Sequence, residues 1–175
     1  GINWNLVNFF WLDERFVPHS SDDSNFGNAK RFFIDFINPK NVYPIGFGEK
    51  IEVCSSDYNS LLKQVLPKGR QRIPIFDLIL LGFGLDGHVA SIFPGTKAIG
   101  IEDKFCIPVL DNPSSAKRIT LTFPLINNSI KNLFMVFGLE KINFLKKILV
   151  NDSKKPINNI DFINTNTVWV TGVKK

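Results

Sequence analysis

Asp86 and His88 stand two residues apart at the end of a glycine-punctuated turn, Gly82-Phe83-Gly84-Leu85-Asp86-Gly87-His88. A carboxylate and an imidazole so close together can work as an acid–base pair. A neutral imidazole takes a proton from water, which is general base catalysis, and Asp86 can orient either the ring or a substrate. The plain alternative for His88 is a residue that bonds only its own turn. Ser91 follows inside an expected helix and no G-x-S-x-G elbow occurs, so a serine nucleophile is not expected. The only histidines are His19 and His88, and neither stands at metal-ligand spacing, so no metal site is expected.

Local elements must position this pair. The apolar run Ile75 to Leu81 reads as a buried strand. A helix is expected from Gly87-His88 to Phe93, stopped by Pro94-Gly95. The positive end of that helix would disfavour imidazolium and keep His88 neutral. Strand, glycine turn and helix present a site at the carboxyl edge of an α/β sheet. Gly82, Gly84 and Gly87 also match the dinucleotide pattern G-x-G-x-x-G, with Glu102 and Asp103 about 20 residues on. Against that reading, Asp86 puts a negative charge where a pyrophosphate should lie. The glycines have another use, letting backbone N–H groups approach a ligand oxygen.

The rest of the chain alternates strands with helices. Leu6 to Leu12 reads as a buried strand ending in Asp13-Glu14-Arg15, charges that fall at the same sheet edge if the strands are parallel. Ser24 is a helix cap, followed by an apolar face of Phe26, Phe33, Ile34 and Ile37. A short strand is expected over Val42 to Ile45 and a helix over Ser56 to Leu66. Lys68 to Arg72 reads as an exposed connection. Strands are expected at Phe105 to Leu110, Arg118 to Phe123, Leu133 to Phe137 and Val168 to Val170, with a turn over Asp111 to Ser115. A helix is expected over Glu140 to Val150 and a polar loop over Asn151 to Asn166. The class is therefore α/β with a mostly parallel sheet.

At 175 residues the chain is sized for a single domain spanning 1–175. The net charge of +5 has no dense basic tract behind it, which argues against nucleic acid and suits either a solvated surface or an anionic metabolite. Cys54 and Cys106 fit no metal spacing and read as reduced thiols of an intracellular protein. No stretch is long and apolar enough to span a bilayer, and the amino end does not resemble a signal peptide.

The blocks Asp13 to Gly27 (DERFVPHSSDDSNFG) and Asp77 to Gly95 (DLILLGFGLDGHVASIFPG) together resemble 6-phosphogluconolactonase. Arg118 to Asn127 (RITLTFPLIN) and Leu133 to Lys141 (LFMVFGLEK) resemble its later blocks, in the same order. The resemblance implies a Rossmann-like, mostly parallel sheet with helices on both faces, as in the sugar-phosphate isomerases. It implies hydrolysis of 6-phosphoglucono-δ-lactone in the pentose phosphate pathway, in the cytoplasm, without metal or organic cofactor. His88 then matches the histidine that activates water, and Asp86 supports it. Asp13, Arg15, Gly82 and Gly84 fall at substrate-binding positions, and Arg118 and Lys141 match cations suited to the phosphate. Fusion to or association with glucose-6-phosphate dehydrogenase is a further expectation.

The chain departs from the family pattern in places. Val89 replaces the usual threonine and Phe83 a common methionine. No glycine- and serine-rich phosphate loop precedes Leu6, so the family's N-terminal elements are expected to be missing and the chain to be part of a longer one. Two other readings stay open. A related deaminase/isomerase would carry an acid where Phe93 stands, and a non-catalytic module would use Gly82 to Gly87 for a dinucleotide.

Overall fold

The computed structural model describes residues 1–114, 116–150, 155–162 and 165–172. Ser115, at the end of the expected turn, and residues 151–154 and 163–164 of the expected loop lie outside the described residues. Eight strands are present among those described: β1 Asn8–Phe10, β2 Asp13–Arg15, β3 Asn41–Tyr43, β4 Leu78–Leu81, β5 Cys106–Val109, β6 Arg118–Leu121, β7 Lys131–Phe137 and β8 Val168–Gly172. The helices are α1 Asn25–Ala29, continued through a π-turn into α2 Asp35–Ile37, then α3 Ile51–Val65, α4 Phe123–Ile126 and α5 Leu139–Val150. None of these helices is long and apolar enough to cross a membrane.

The class is α/β, and the strands form three sheets. β1 pairs with β3, and β4 with β7 and then β8, all in parallel; β2, β6 and β5 form an antiparallel sheet. Strand β7 divides its side chains between two faces. Asn132, Phe134 and Val136 are buried, whereas Met135 and Phe137 are exposed. Phe134 stacks on Trp169 with ring centroids 4.5 Å apart. Leu145 and Ile148 of α5 and Leu62 of α3 join Phe134, Ile79 and Leu81 in one core. The opposite face of this parallel sheet is open. Leu78 and Leu80 are 50% and 51% exposed, beside Met135, Phe137, Val168 and Val170. Parallel sheets are ordinarily covered on both faces, so this apolar face is a distinctive surface of the chain.

Several expected boundaries move. The run 6–12 forms only the three-residue β1, after a 3-10 turn at Trp4–Leu6, and Leu6 is exposed. Helix α3 starts five residues earlier than Ser56, burying Ile51 and Ser55 with Tyr58 and Leu62. Ser24 does cap α1, its hydroxyl accepting from Gly27 N–H at 2.9 Å. Phe33 is exposed in the expected apolar face, although its ring meets Trp4 and Phe9 edge-on.

The largest correction concerns residues 87–93, which form no helix. Gly87 at φ 90° and Ala90 at φ 51° lie in the left-handed region. Val89 and Ile92 instead exchange backbone bonds, Ile92 N–H to Val89 C=O at 2.9 Å and the reverse at 3.4 Å. Two consecutive tight turns replace the helix, so the argument that a helix end keeps His88 neutral falls away.

Candidate active site

The turn after β4 holds His88 and Asp86 together. His88 Nδ1 lies 2.7 Å from Asp86 Oδ1, and the His88 N–H donates to the same oxygen at 3.2 Å. Burial pushes the Asp86 carboxyl up, but these two bonds and the imidazole's charge outweigh it and hold the carboxyl below its ordinary value. An ionised carboxylate only accepts, so Nδ1 is the nitrogen that donates to Asp86, and in the neutral ring the lone pair is on Nε2. The His88 side chain is 31% exposed, open enough to meet a substrate. Gly84 makes the pair possible, because a Cβ there would overlap both the His88 ring and the Asp86 carboxylate.

Two of the three glycine N–H groups are already engaged within the turn. Gly84 N–H donates to His88 C=O at 3.0 Å and Gly87 N–H to Gly84 C=O at 2.9 Å. Those donors close the turn, contrary to the expectation that they receive a ligand oxygen. A Cβ at Gly82 would meet nothing, so Gly82 leaves open space at the site. The dinucleotide reading also loses its footing. It needs a helix N-terminus at the third glycine, and Glu102 and Asp103 follow a 3-10 turn at Lys97–Gly100 rather than a second strand.

Strand alternation sorts Asp13-Glu14-Arg15 onto two faces. Glu14 turns inward and is 2% exposed. It accepts from Arg15 N–H (2.8 Å), Asn25 N–H (2.7 Å), Phe26 N–H (2.8 Å) and the Ser24 hydroxyl (3.0 Å). It is thus a structural anchor that binds the start of α1 to β2. Asp13 and Arg15 share the other face. Asp13 Oδ2 accepts from the Ser91 hydroxyl at 2.6 Å, and its Oδ1 from Asn25 Nδ2 at 3.3 Å. Burial raises the Asp13 carboxyl; the Ser91 bond and the charges of Arg118 and Arg15 oppose it without cancelling it.

Arg118, at the start of β6, is the registered partner of Arg15 across the β2–β6 ladder. Desolvation and then the charge of Arg15 lower the Arg118 pKa, while Asp13 acts to raise it. The Arg118 guanidinium lies 5.5 Å over the Phe93 ring, and the His88 ring meets the same Phe93 at 4.5 Å. Phe93 is therefore the shared apolar floor under the imidazole and the guanidinium. Lys141, on α5, reaches the turn at another point, its Nζ 5.9 Å over the Phe83 ring. His88, Asp86, Asp13, Arg15 and Arg118 thus form one constellation, and no described contact joins Lys141 to the two arginines.

Three contributors escaped sequence reasoning. In the sequence Ser91 reads as a helix-interior residue, Asn25 has no signal of its own, and Lys155 falls in an expected polar loop. Lys155 Nζ donates to Asp86 C=O at 3.0 Å, and Ile157 N–H to Gly87 C=O at 3.0 Å, so this distant segment braces the turn. His19 is structural, its Nε2 2.9 Å from Ile45 C=O.

With this geometry in view, residues 1–169 match the family described as glucosamine-6-phosphate isomerases/6-phosphogluconolactonase. The chain belongs to that family. It is similar to 6-phosphogluconolactonase 3, chloroplastic, of Arabidopsis thaliana, 38% identical over 164 residues, covering 89% of this chain and 50% of the relative. It is 34% identical over 149 residues to 6-phosphogluconolactonase of Treponema pallidum, covering 84% of this chain and 61% of the relative. The crystal structure of 6-phosphogluconolactonase from Thermotoga maritima superposes with a TM-score of 0.83 at 34% identity, covering 99% of this chain and 76% of that one. The chain spans 50% and 61% of the length of these two curated relatives.

Proposed function

We propose that this family member hydrolyses 6-phosphoglucono-δ-lactone to 6-phosphogluconate, with His88 as general base. The observation that carries the reading is the Asp86–His88 pair on the same Phe93 floor as Arg118, with Arg15 opposite. His88 Nε2 takes a proton from water as the water oxygen bonds to the lactone carbonyl carbon. The carbonyl electron pair moves onto its oxygen. When the intermediate collapses, the bond to the ring oxygen breaks, and that oxygen takes the proton held by His88. Asp86 keeps the ring oriented and steadies the imidazolium while it exists.

Arg15 and Arg118 form a dicationic pair matched to a phosphate dianion, for which planar guanidinium donors are suited. Lys141 is a further cation at the turn, and Asp13 accepts from a substrate hydroxyl. We extend the reading to a longer parent chain of the pentose phosphate pathway in the cytoplasm, fused to or associated with glucose-6-phosphate dehydrogenase. The relatives' names in Arabidopsis and rice include chloroplastic proteins, so compartment is best read by tagging the full-length parent.

The deciding experiment follows loss of freshly made 6-phosphoglucono-δ-lactone against its spontaneous hydrolysis, with EDTA present, for the wild type and His88→Asn. A wild type no faster than the blank rejects the reading. Ammonia release from glucosamine 6-phosphate would favour the family's other activity. Phe93, packed on His88 where that activity is expected to need an acid, argues against it.

A further inference from the structure

Ser91 is fully buried on the tight turn Val89–Ile92 that directly follows His88. Three other buried hydroxyls satisfy themselves locally, Ser55 donating to Glu52 C=O, Thr96 to Phe93 C=O and Ser129 to Ile126 C=O, while Ser24 and Thr122 reach Glu14 Oε2 and Lys104 C=O, 10 and 18 residues away. Ser91 instead donates to a carboxylate 78 residues away, Asp13 Oδ2, at 2.6 Å. Its N–H donates to Thr120 Oγ1 at 3.2 Å, and Thr120 is the registered partner of Asp13. The paired backbone bonds between Val89 and Ile92 close the turn that carries Ser91, directly after His88 in the chain.

We propose that Ser91 is a positioning residue whose hydroxyl locks the Asp13 carboxylate to the His88 turn, fixing Asp13 and the facing Arg118 relative to the imidazole. The proposal rests on the lactonase reading for its consequence, and on geometry for the lock itself. Among the described residues Asp13 has one other side-chain donor, Asn25 Nδ2, at a longer 3.3 Å. The charged groups facing it are Arg118 from β6 and Arg15 and Glu14 from its own strand. The Ser91 bond also lowers the Asp13 pKa against burial, so it favours the ionised acceptor. Losing the bond frees the carboxylate to rotate and to hold its proton at higher pH.

The test measures kcat/KM against pH for 6-phosphoglucono-δ-lactone in wild type, Ser91→Ala, Asp13→Asn and the double variant. In parallel, the Asp13 carboxyl is titrated by carbon-13 NMR of aspartate-labelled protein, its resonance assigned by Asp13→Asn. Ser91→Ala should lower kcat/KM by about 10- to 100-fold, the scale of a misplaced catalytic constellation. It should also move the Asp13 titration to higher pH. In the Asp13→Asn background, the same change should cost less than about 2-fold, because coupled sites are non-additive. An unmoved Asp13 titration overturns the proposal, as does an equal cost in both backgrounds or a wild-type kcat/KM in Ser91→Ala. If Ser91→Ala does not fold, Ser91→Cys, near in volume and a weaker donor, carries the same measurements. A wild type without lactonase activity rejects the functional reading, and the NMR titration then decides the Ser91–Asp13 lock by itself.

Discussion

Arg15 and Arg118 are registered partners across the antiparallel β2–β6 ladder, two guanidinium side chains on one face with Asp13 two residues from Arg15 on the same strand. Like charges directly opposite one another destabilise a ladder. The Arg118 pKa is lowered accordingly, by desolvation first and then by Arg15. A bound dianion would relieve this repulsion. Inorganic phosphate or 6-phosphogluconate should therefore raise the melting temperature of the wild type, and the rise should shrink in Arg118→Ala. For the phosphorylated lactone, Arg118→Ala should raise KM more than it lowers kcat. The unphosphorylated lactone should be little affected. Equal sensitivity of the two lactones would remove the phosphate assignment.

His88→Asn should lower kcat by roughly 10²–10⁴-fold, the usual worth of a general base, with the unfolding transition nearly unchanged. Steady-state kinetics and thermal unfolding of the same preparation check this. Near-wild-type turnover would move the base elsewhere, with Asp13 next in line.

Gly84→Ala tests the nest that holds the pair. A Cβ at Gly84 would overlap the His88 ring and the Asp86 carboxylate. The variant should lose most of kcat while keeping its circular dichroism, because the turn's tip is half-exposed and can shift the two side chains. Retained activity would show that the 2.7 Å pair is not needed for turnover.

The two carboxylates should titrate stability in opposite senses. Asp86 is held below the ordinary value of 3.8, so its contribution is present above that pH and is lost as pH falls through its folded pKa. Asp86→Asn should therefore be less stable than wild type at pH 7, with the gap closing in acid. Asp13 is raised above 3.8, so the native state binds more protons than the unfolded chain above that pH, and stability falls as pH rises. Asp13→Asn should be more stable than wild type at pH 7 and lose that advantage near pH 3. Urea unfolding at the two pH values reads both signs.

The open face of the β4–β7–β8 sheet should behave as a sticky surface. Leu80→Lys combined with Met135→Lys should reduce binding of a hydrophobic dye and self-association in ultracentrifugation, with little cost in stability, since both residues are exposed. Phe134→Ala, one residue before Met135 but on the buried face, should cost about 3–5 kcal/mol. Comparable destabilisation by both would show that the two faces are not distinguished as described.

Local sequence determined much of this protein. Apolar runs closed by glycine place β4 and β7, the alternation of RITLTF places β6, and Ser24 marks the start of α1, because each signal depends only on neighbours in the chain. Asp86 and His88 were legible for the same reason, since two residues of one turn define their own spacing. Their tautomer and their Gly84 nest depend on backbone angles that only the folded turn supplies. The tertiary structure alone decided that residues 87–93 form paired turns, since the bonds between Val89 and Ile92, and the brace from Lys155 and Ile157, outweigh local helix propensity. It also decided which charges meet. Arg15 and Arg118 are set opposite by ladder register, and Asp13 and Ser91 by a hydrogen bond between chain segments 78 residues apart. No pattern within either segment encodes those distances, because they arise where a strand, a ladder and a turn are packed over one core.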